Sequence, residues 1–271
     1  MLKYFAPALV ALTLAVGTPA VANDNIRFAD NRISAELDVD GHHLQFSVSF
    51  AQAIGLNAAN VDVSVRAVSA NDYSVLNRLP DSYQTALVDG FPVMVSIQPR
   101  KDRGFAFSGE AEIEFYTTSI DFNKNIRLFR SHDGGMFEDI TNLTAPGSLR
   151  ARGSSGTFSD FILLVDNRDQ HEVSNAKAAE LASFLSQHVA SHSSEFENNV
   201  ISLARNVRNH VIEQRYQAAV SNLNALLRSL EDTQADNLPN IWRSSDDIVN
   251  VQGEALSKGR SLRFTLNELM R

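Results

Sequence analysis

The sequence predicts an α+β protein in two segments. An antiparallel, immunoglobulin-like β-sandwich is expected over residues 23–168, and a bundle of three to four helices over residues 169–271. Three observations carry this expectation. Apolar residues alternate with period two through the first segment, which is the pattern of a strand with one buried face. They recur every three to four residues through the second, which is the stripe of an amphipathic helix. The composition also changes near residue 168. Residues 23–168 hold ten Gly, four Pro and twelve Phe, whereas residues 169–271 hold two, one and three. Turn formers and aromatics suit many short strands, and a shift of this kind marks a change of fold class.

The first element is a leader. Residues 1–22 read MLKYFAPALVALTLAVGTPAVA. Lys3 supplies a positive start, Tyr4 to Val16 is an uncharged apolar run, and Ala20-Val21-Ala22 places small residues where a signal peptidase reads them. The apolar run is shorter than the roughly 20 residues a membrane-spanning helix needs. Cleavage after Ala22 and export to the periplasm or the medium are therefore expected, with no membrane span in the remainder.

The strands follow. Ile33, Ala35, Leu37 and Val39 alternate with polar residues up to Asp40-Gly41, after which Leu44, Phe46, Val48 and Phe50 alternate again. An Asp-Gly step between two such runs predicts a tight hairpin. Further alternation at Val61/Val63/Val65, Val93/Val95/Ile97 and Ala111/Ile113/Phe115 predicts three more strands. Others are expected around Ile126–Arg130, Phe137–Thr141 and Phe158–Val165. Turn signals at Lys101–Gly104, Asp133-Gly134-Gly135 and Ala145-Pro146-Gly147 separate them. Eight or nine short strands with one apolar face each call for two facing sheets.

The helices come next. Ala178, Leu181, Leu185, His188 and His192 share one face, as do Phe196, Val200, Leu203 and Val207. Tyr216, Val220, Leu223, Leu227 and Leu230 form a third stripe. Ile248, Val251, Ala255, Gly259, Leu262, Leu266 and Leu269 form a fourth. Pro239 separates the third helix from the fourth, and Ser244-Ser245-Asp246-Asp247 offers an N-cap and first turn. Gly259 on an apolar stripe predicts close helix approach. The short polar junction Asp166–Val173 predicts that the bundle either docks on the sandwich or extends from it semi-rigidly, since it is no long flexible linker.

Composition excludes several function classes. The chain of 271 residues has no Cys, which removes disulfides, thiolate metal sites and cysteine nucleophiles. Its net charge of −8 lacks the basic footprint of a nucleic-acid binder. The glycine-rich steps Gly134-Gly135 and Arg152–Gly156 match no phosphate-binding loop and read as turns. Asp38–His43 has the start of a calcium loop without its remaining oxygen ligands, and turn chemistry explains it. No nucleophile elbow is present, so no catalytic residue is assigned and no cofactor is implied. Asn142-Leu143-Thr144 is a sequon that matters only in a eukaryotic secretory pathway.

Two weaker candidates remain. His188 and His192 stand one helical turn apart with Glu195 following, a spacing that could hold a divalent metal ion. They also continue an apolar stripe, which packing alone explains. Trp242, the only Trp, and Arg243 are the residue types that dominate partner-binding hot spots. Packing is the simpler reading of Trp242, as a plug of the inter-helix loop or of the domain junction.

The stretches Ile126–Arg130, Asp133–Thr141 and Gly156–Phe161 resemble the closing strands of immunoglobulin-like modules in bacterial exported proteins. Pro239–Arg243 and Leu262–Leu266 resemble an uncharacterised family of exported proteobacterial proteins. The resemblance implies a location and an architecture, and carries over no catalytic residue. The expected function is non-catalytic binding or scaffolding, with an envelope protein or a glycan as partner. The alternative is a carbohydrate-active or other hydrolase that uses surface carboxylates.

Overall fold

The period-two alternation folds into two antiparallel sheets. A computed structural model describes residues 25–189, 195–233 and 238–271. The chain runs β1 (Ile26–Ala29), β2 (Arg32–Val39), β3 (His42–Ile54), β4 (Val61–Ala67), the single turn α1 (Tyr73–Leu76), β5 (Thr85–Leu87), β6 (Val93–Pro99) and β7 (Ala106–Tyr116). It continues through β8 (Ile126–Ser131), β9 (Glu138–Asp139), β10 (Thr141–Leu143), β11 (Arg150–Ser155), β12 (Asp160–Asp166), α2 (Gln170–His188), α3 (Glu195–Ile212), α4 (Tyr216–Glu231), β13 (Ile241–Arg243) and α5 (Val251–Leu269). The first sheet has the order β1-β2-β3-β7-β11-β10, with β13 also paired to β7. The second has the order β4-β6-β12-β8-β9, with β5 paired to β12. The expected leader, residues 1–22, lies outside the described residues. Among the described residues no helix is long and apolar enough to cross a membrane.

The alternating residues do what their spacing predicts. Ile33, Leu44, Val48, Ile113 and Phe115 of the first sheet meet Val61, Val95, Ile97, Leu128 and Phe161 of the second in one buried cluster. The β2–β3 hairpin turns at Asp40-Gly41, whose φ angles of 50° and 84° are those of a primed two-residue turn. A second cluster joins α2–α5 through Leu181, Leu185, Val200, Val207, Leu223, Leu227, Leu262 and Leu266. The α3–α4 break carries no Gly. Gln214 takes the left-handed conformation there, with φ of 56°.

Three local expectations are corrected. The segment after Pro239 is more than a helix break: Ile241–Arg243 adds a strand to the first sheet, with Trp242 opposite Phe107. The N-cap of α5 is Asn250, whose side chain accepts from Gly253 N–H, and the Ser244–Asp247 stretch forms a turn before it. Arg152–Ser155 is strand rather than turn. Gly153 is required there because a Cβ would lie 2.6 Å from the Ile140 carbonyl oxygen.

Long strand β7 explains how the helices attach. Its first residues pair with β13, and Ala111 to Tyr116 pair with β11 along the same edge. Between them, at Gly109-Glu110, the register with β3 shifts by a bulge. Asn250 fills that gap, donating to Gly109 O at 2.6 Å and Gly156 O at 3.1 Å. The start of α5 can approach this closely because Gly156 and Gly253 have no side chain; a Cβ on either would lie within 2.5 Å of backbone or Asn250 atoms.

Helix α5 is buried on nearly every side, and its buried polar side chains are engaged. Arg130 of β8 donates to Glu254 at 2.5 Å, to Glu138 at 2.8 Å, and to the hydroxyls of Ser155 and Thr157. Lys177 of α2 reaches Asp139 at 2.7 Å and the hydroxyls of Ser261 and Thr265. Lys258 bridges Glu138 and Glu180. Burial alone would push the carboxyls of Glu254 and Asp139 up, but the adjoining Arg130 and Lys177 charges outweigh it and hold both below their ordinary values. For Lys177 burial wins, and its ammonium sits below the ordinary lysine value.

Candidate ligand-binding face

The same alternation that fills the core leaves a polar face on the outside of the first sheet. Its composition follows from register. Arg32, Ser49, Glu112 and Ser154 are successive neighbours across β2, β3, β7 and β11. The next row is Arg27, Ser34, Ser47, Glu114 and Arg152, running from β1 to β11. A third row is Glu36, Gln45, Tyr116 and Arg150. Strands stand about 4.8 Å apart and alternate residues about 6.8 Å apart along a strand, so three rows over five strands span roughly 14 by 19 Å.

Side-chain length shapes this face. Serines occupy the middle of β3, and Ser47 is buried at the floor. Long charged side chains stand on either side. The result is a trough in two contiguous parts of about 490 and 500 Å³, which share Arg32, Ser47 and Glu114. Arg152 pairs with Glu114, and Arg150 lies over the Tyr116 ring at 5.4 Å. Arg32 and Glu112 are exposed.

Glu110 closes one end, just past the bulge. It forms an ion pair with Arg260 of α5 at 2.7 Å. Burial pushes its carboxyl above the ordinary value against the pull of Arg260, and its Oε2 is buried without a hydrogen-bond partner among the described residues. The face can therefore offer guanidinium and hydroxyl donors beside carboxylate and amide acceptors, on a surface that is mainly polar.

The residues singled out from sequence lie elsewhere. His188 ends α2 with its ring 4.6 Å from Phe184, and Glu195 opens α3 as an exposed residue. His192, the third member of that candidate metal set, lies outside the described residues. Trp242 is buried among Phe105, Phe107 and Phe158, with ring centroids 5.5–6.0 Å away. Arg243 pairs with Asp247 at 2.8 Å. The polar face was not foreseen. Its signal was present as the period-two partners of the core residues: Arg32, Ser34, Glu36 on one strand and Glu110, Glu112, Glu114 on another. What the alternation omits is which strands lie side by side.

A comparison with curated proteins finds no match. The match to a family extends over residues 5–270, and the chain belongs to the family of unknown function DUF6689.

Proposed function

We propose that this chain is an exported, non-catalytic binding protein and that the open face of its first sheet holds a glycan chain of the cell envelope. The observation that carries the reading is the trough itself. It is long, closed at one end by the Glu110–Arg260 pair, floored by serines and walled by donors and acceptors. A polyhydroxylated chain can pair its hydroxyls with such a row of donors and acceptors, whereas the core of a protein interface is apolar and aromatic. The arginines already engage two of the three carboxylates on β7, which suits holding more than cleaving.

The architecture proposed with this function is an immunoglobulin-like sandwich at residues 23–168 and a helical bundle at 169–271. The shared cluster between the sheets and the second cluster among α2–α5 support it. Export rests on the leader. The mature protein recovered from an expressing cell should begin at Asn23 and be found outside the cytoplasm. A full-length cytoplasmic product would contradict export.

A hydrolytic reading draws on Glu110 and Glu112, two carboxyls on one face of a strand, the first with a raised pKa. Acid-assisted glycoside cleavage employs one carboxyl of raised pKa beside a second, ionised one. One experiment separates the readings. The purified mature protein is run through gels containing a panel of neutral and charged polysaccharides, and the same polysaccharides are assayed for new reducing ends. Retardation without new ends supports binding. New ends that vanish in Glu110→Gln support hydrolysis. Neither retardation nor cleavage overturns both.

A further inference from the structure

A second site lies away from this face, where the turn after β8 meets the turn after β13. We infer that His132, Asp133 and Asp246 form a binding site for one divalent transition-metal ion, of which Zn²⁺ is the best fit.

The three residues each present a ligand atom, and these atoms lie within 4.8 Å of one another. His132 Nε2 stands 3.9 Å from Asp246 Oδ2. The ligand edges of a tetrahedral zinc site are about 3.4 Å, given metal–ligand bonds of about 2.0–2.1 Å. The carboxylates of Asp133 and Asp246 are on the surface, so small side-chain rotations close the difference.

The imidazole carries an independent sign of ligation. Its Nδ1 lies 2.8 Å from the Phe158 carbonyl oxygen. A carbonyl only accepts, so Nδ1 carries the hydrogen, and Nε2, which faces Asp246, is the ring nitrogen left to ligate a metal. Metal-binding histidines are oriented in this way, by a donor bond from the other ring nitrogen to a carbonyl or carboxylate. The Asp133 N–H is likewise tied down, donating to Ser159 Oγ at 3.0 Å. The ligands therefore sit on supported turns.

The donor set selects the metal class. One imidazole and two carboxylates suit zinc and its neighbours. Calcium takes six to eight oxygens and gains nothing from imidazole. Three protein ligands leave coordination positions open, and these face a cleft of about 600 Å³ that Lys101, Ser244 and Trp242 also line. A metal here would clip the β8–β9 turn to the segment that carries β13. It would bind the folded chain only and so raise its melting temperature.

The test uses the mature protein after EDTA treatment, with Zn²⁺ alone as probe in calorimetric titration and thermal melting. One Zn²⁺ per chain and a rise in Tm are expected. His132→Ala and the near-isosteric Asp246→Asn should each weaken binding at least tenfold and abolish the rise. His188→Ala should change neither. No binding overturns the proposal, as does binding that survives in both variants or is lost in His188→Ala. Retention of the wild-type melting temperature by metal-free Asp246→Asn shows that any loss is of a ligand and not of the fold.

Discussion

Arg130 and Glu254 are the residues on which the two halves of the chain depend most. They are 124 positions apart, both buried, and joined at 2.5 Å. A buried charge left without its partner costs about 3–5 kcal/mol. Glu254→Gln keeps the shape but leaves Arg130 with only Glu138 and two hydroxyls, so a loss of about 3 kcal/mol is expected in denaturant unfolding. The pH dependence carries the same signature. The Glu254 carboxyl is held below its ordinary value of 4.5, so its stabilisation is complete above that pH and is lost as acid carries the folded protein through the lowered value. Stability should fall steeply below pH 4.5 in wild type and less steeply in Glu254→Gln.

At the scale of elements, β13 shows what the sequence discloses and what it withholds. The β2–β3 hairpin is legible because Asp40-Gly41 fixes the turn locally. The stripes of α2–α4 are legible because each helix buries one face. Helix α5 is different: its apolar stripe is real, but the opposite face is buried too, through Ser257, Ser261 and Thr265, and only tertiary partners explain those polar residues. Strand β13 is three residues long and forms because Trp242 completes an aromatic cluster that Phe105, Phe107 and Phe158 begin. Truncating a buried Trp costs about 3–5 kcal/mol. The Trp242 Nε1 is buried without a hydrogen-bond partner among the described residues. An unpaired donor is a burden that Phe lacks. Trp242→Phe should therefore cost much less than Trp242→Ala, as read by the shift in urea midpoint.

For the whole molecule, the sheets and the helices are locked by the Arg130–Glu254 pair, the Lys177–Asp139 pair, Asn250 at the β7 bulge and the added strand β13. Such interlocking predicts one cooperative thermal transition for residues 23–271, with calorimetric and van't Hoff enthalpies equal. Two resolved transitions would mean that the halves fold apart. The rows of the polar face also belong to this scale. Each strand shows its own polar residues, but the trough arises only when β2, β3, β7 and β11 stand side by side. The His132 site has the same character, since Asp246 lies more than a hundred residues from the histidine it faces.

The central claim is that the open sheet face is the binding surface. Titration calorimetry with the polysaccharide that most retards the protein tests it directly, comparing wild type with the double variant Arg32→Ala/Glu112→Ala. A second double variant, Asp102→Ala/Arg103→Ala, alters an exposed ion pair on the β6–β7 loop, away from the trough. Affinity at least tenfold weaker in the first variant, and unchanged in the second, is the predicted result. Equal affinity in wild type and the Arg32/Glu112 variant would contradict the account.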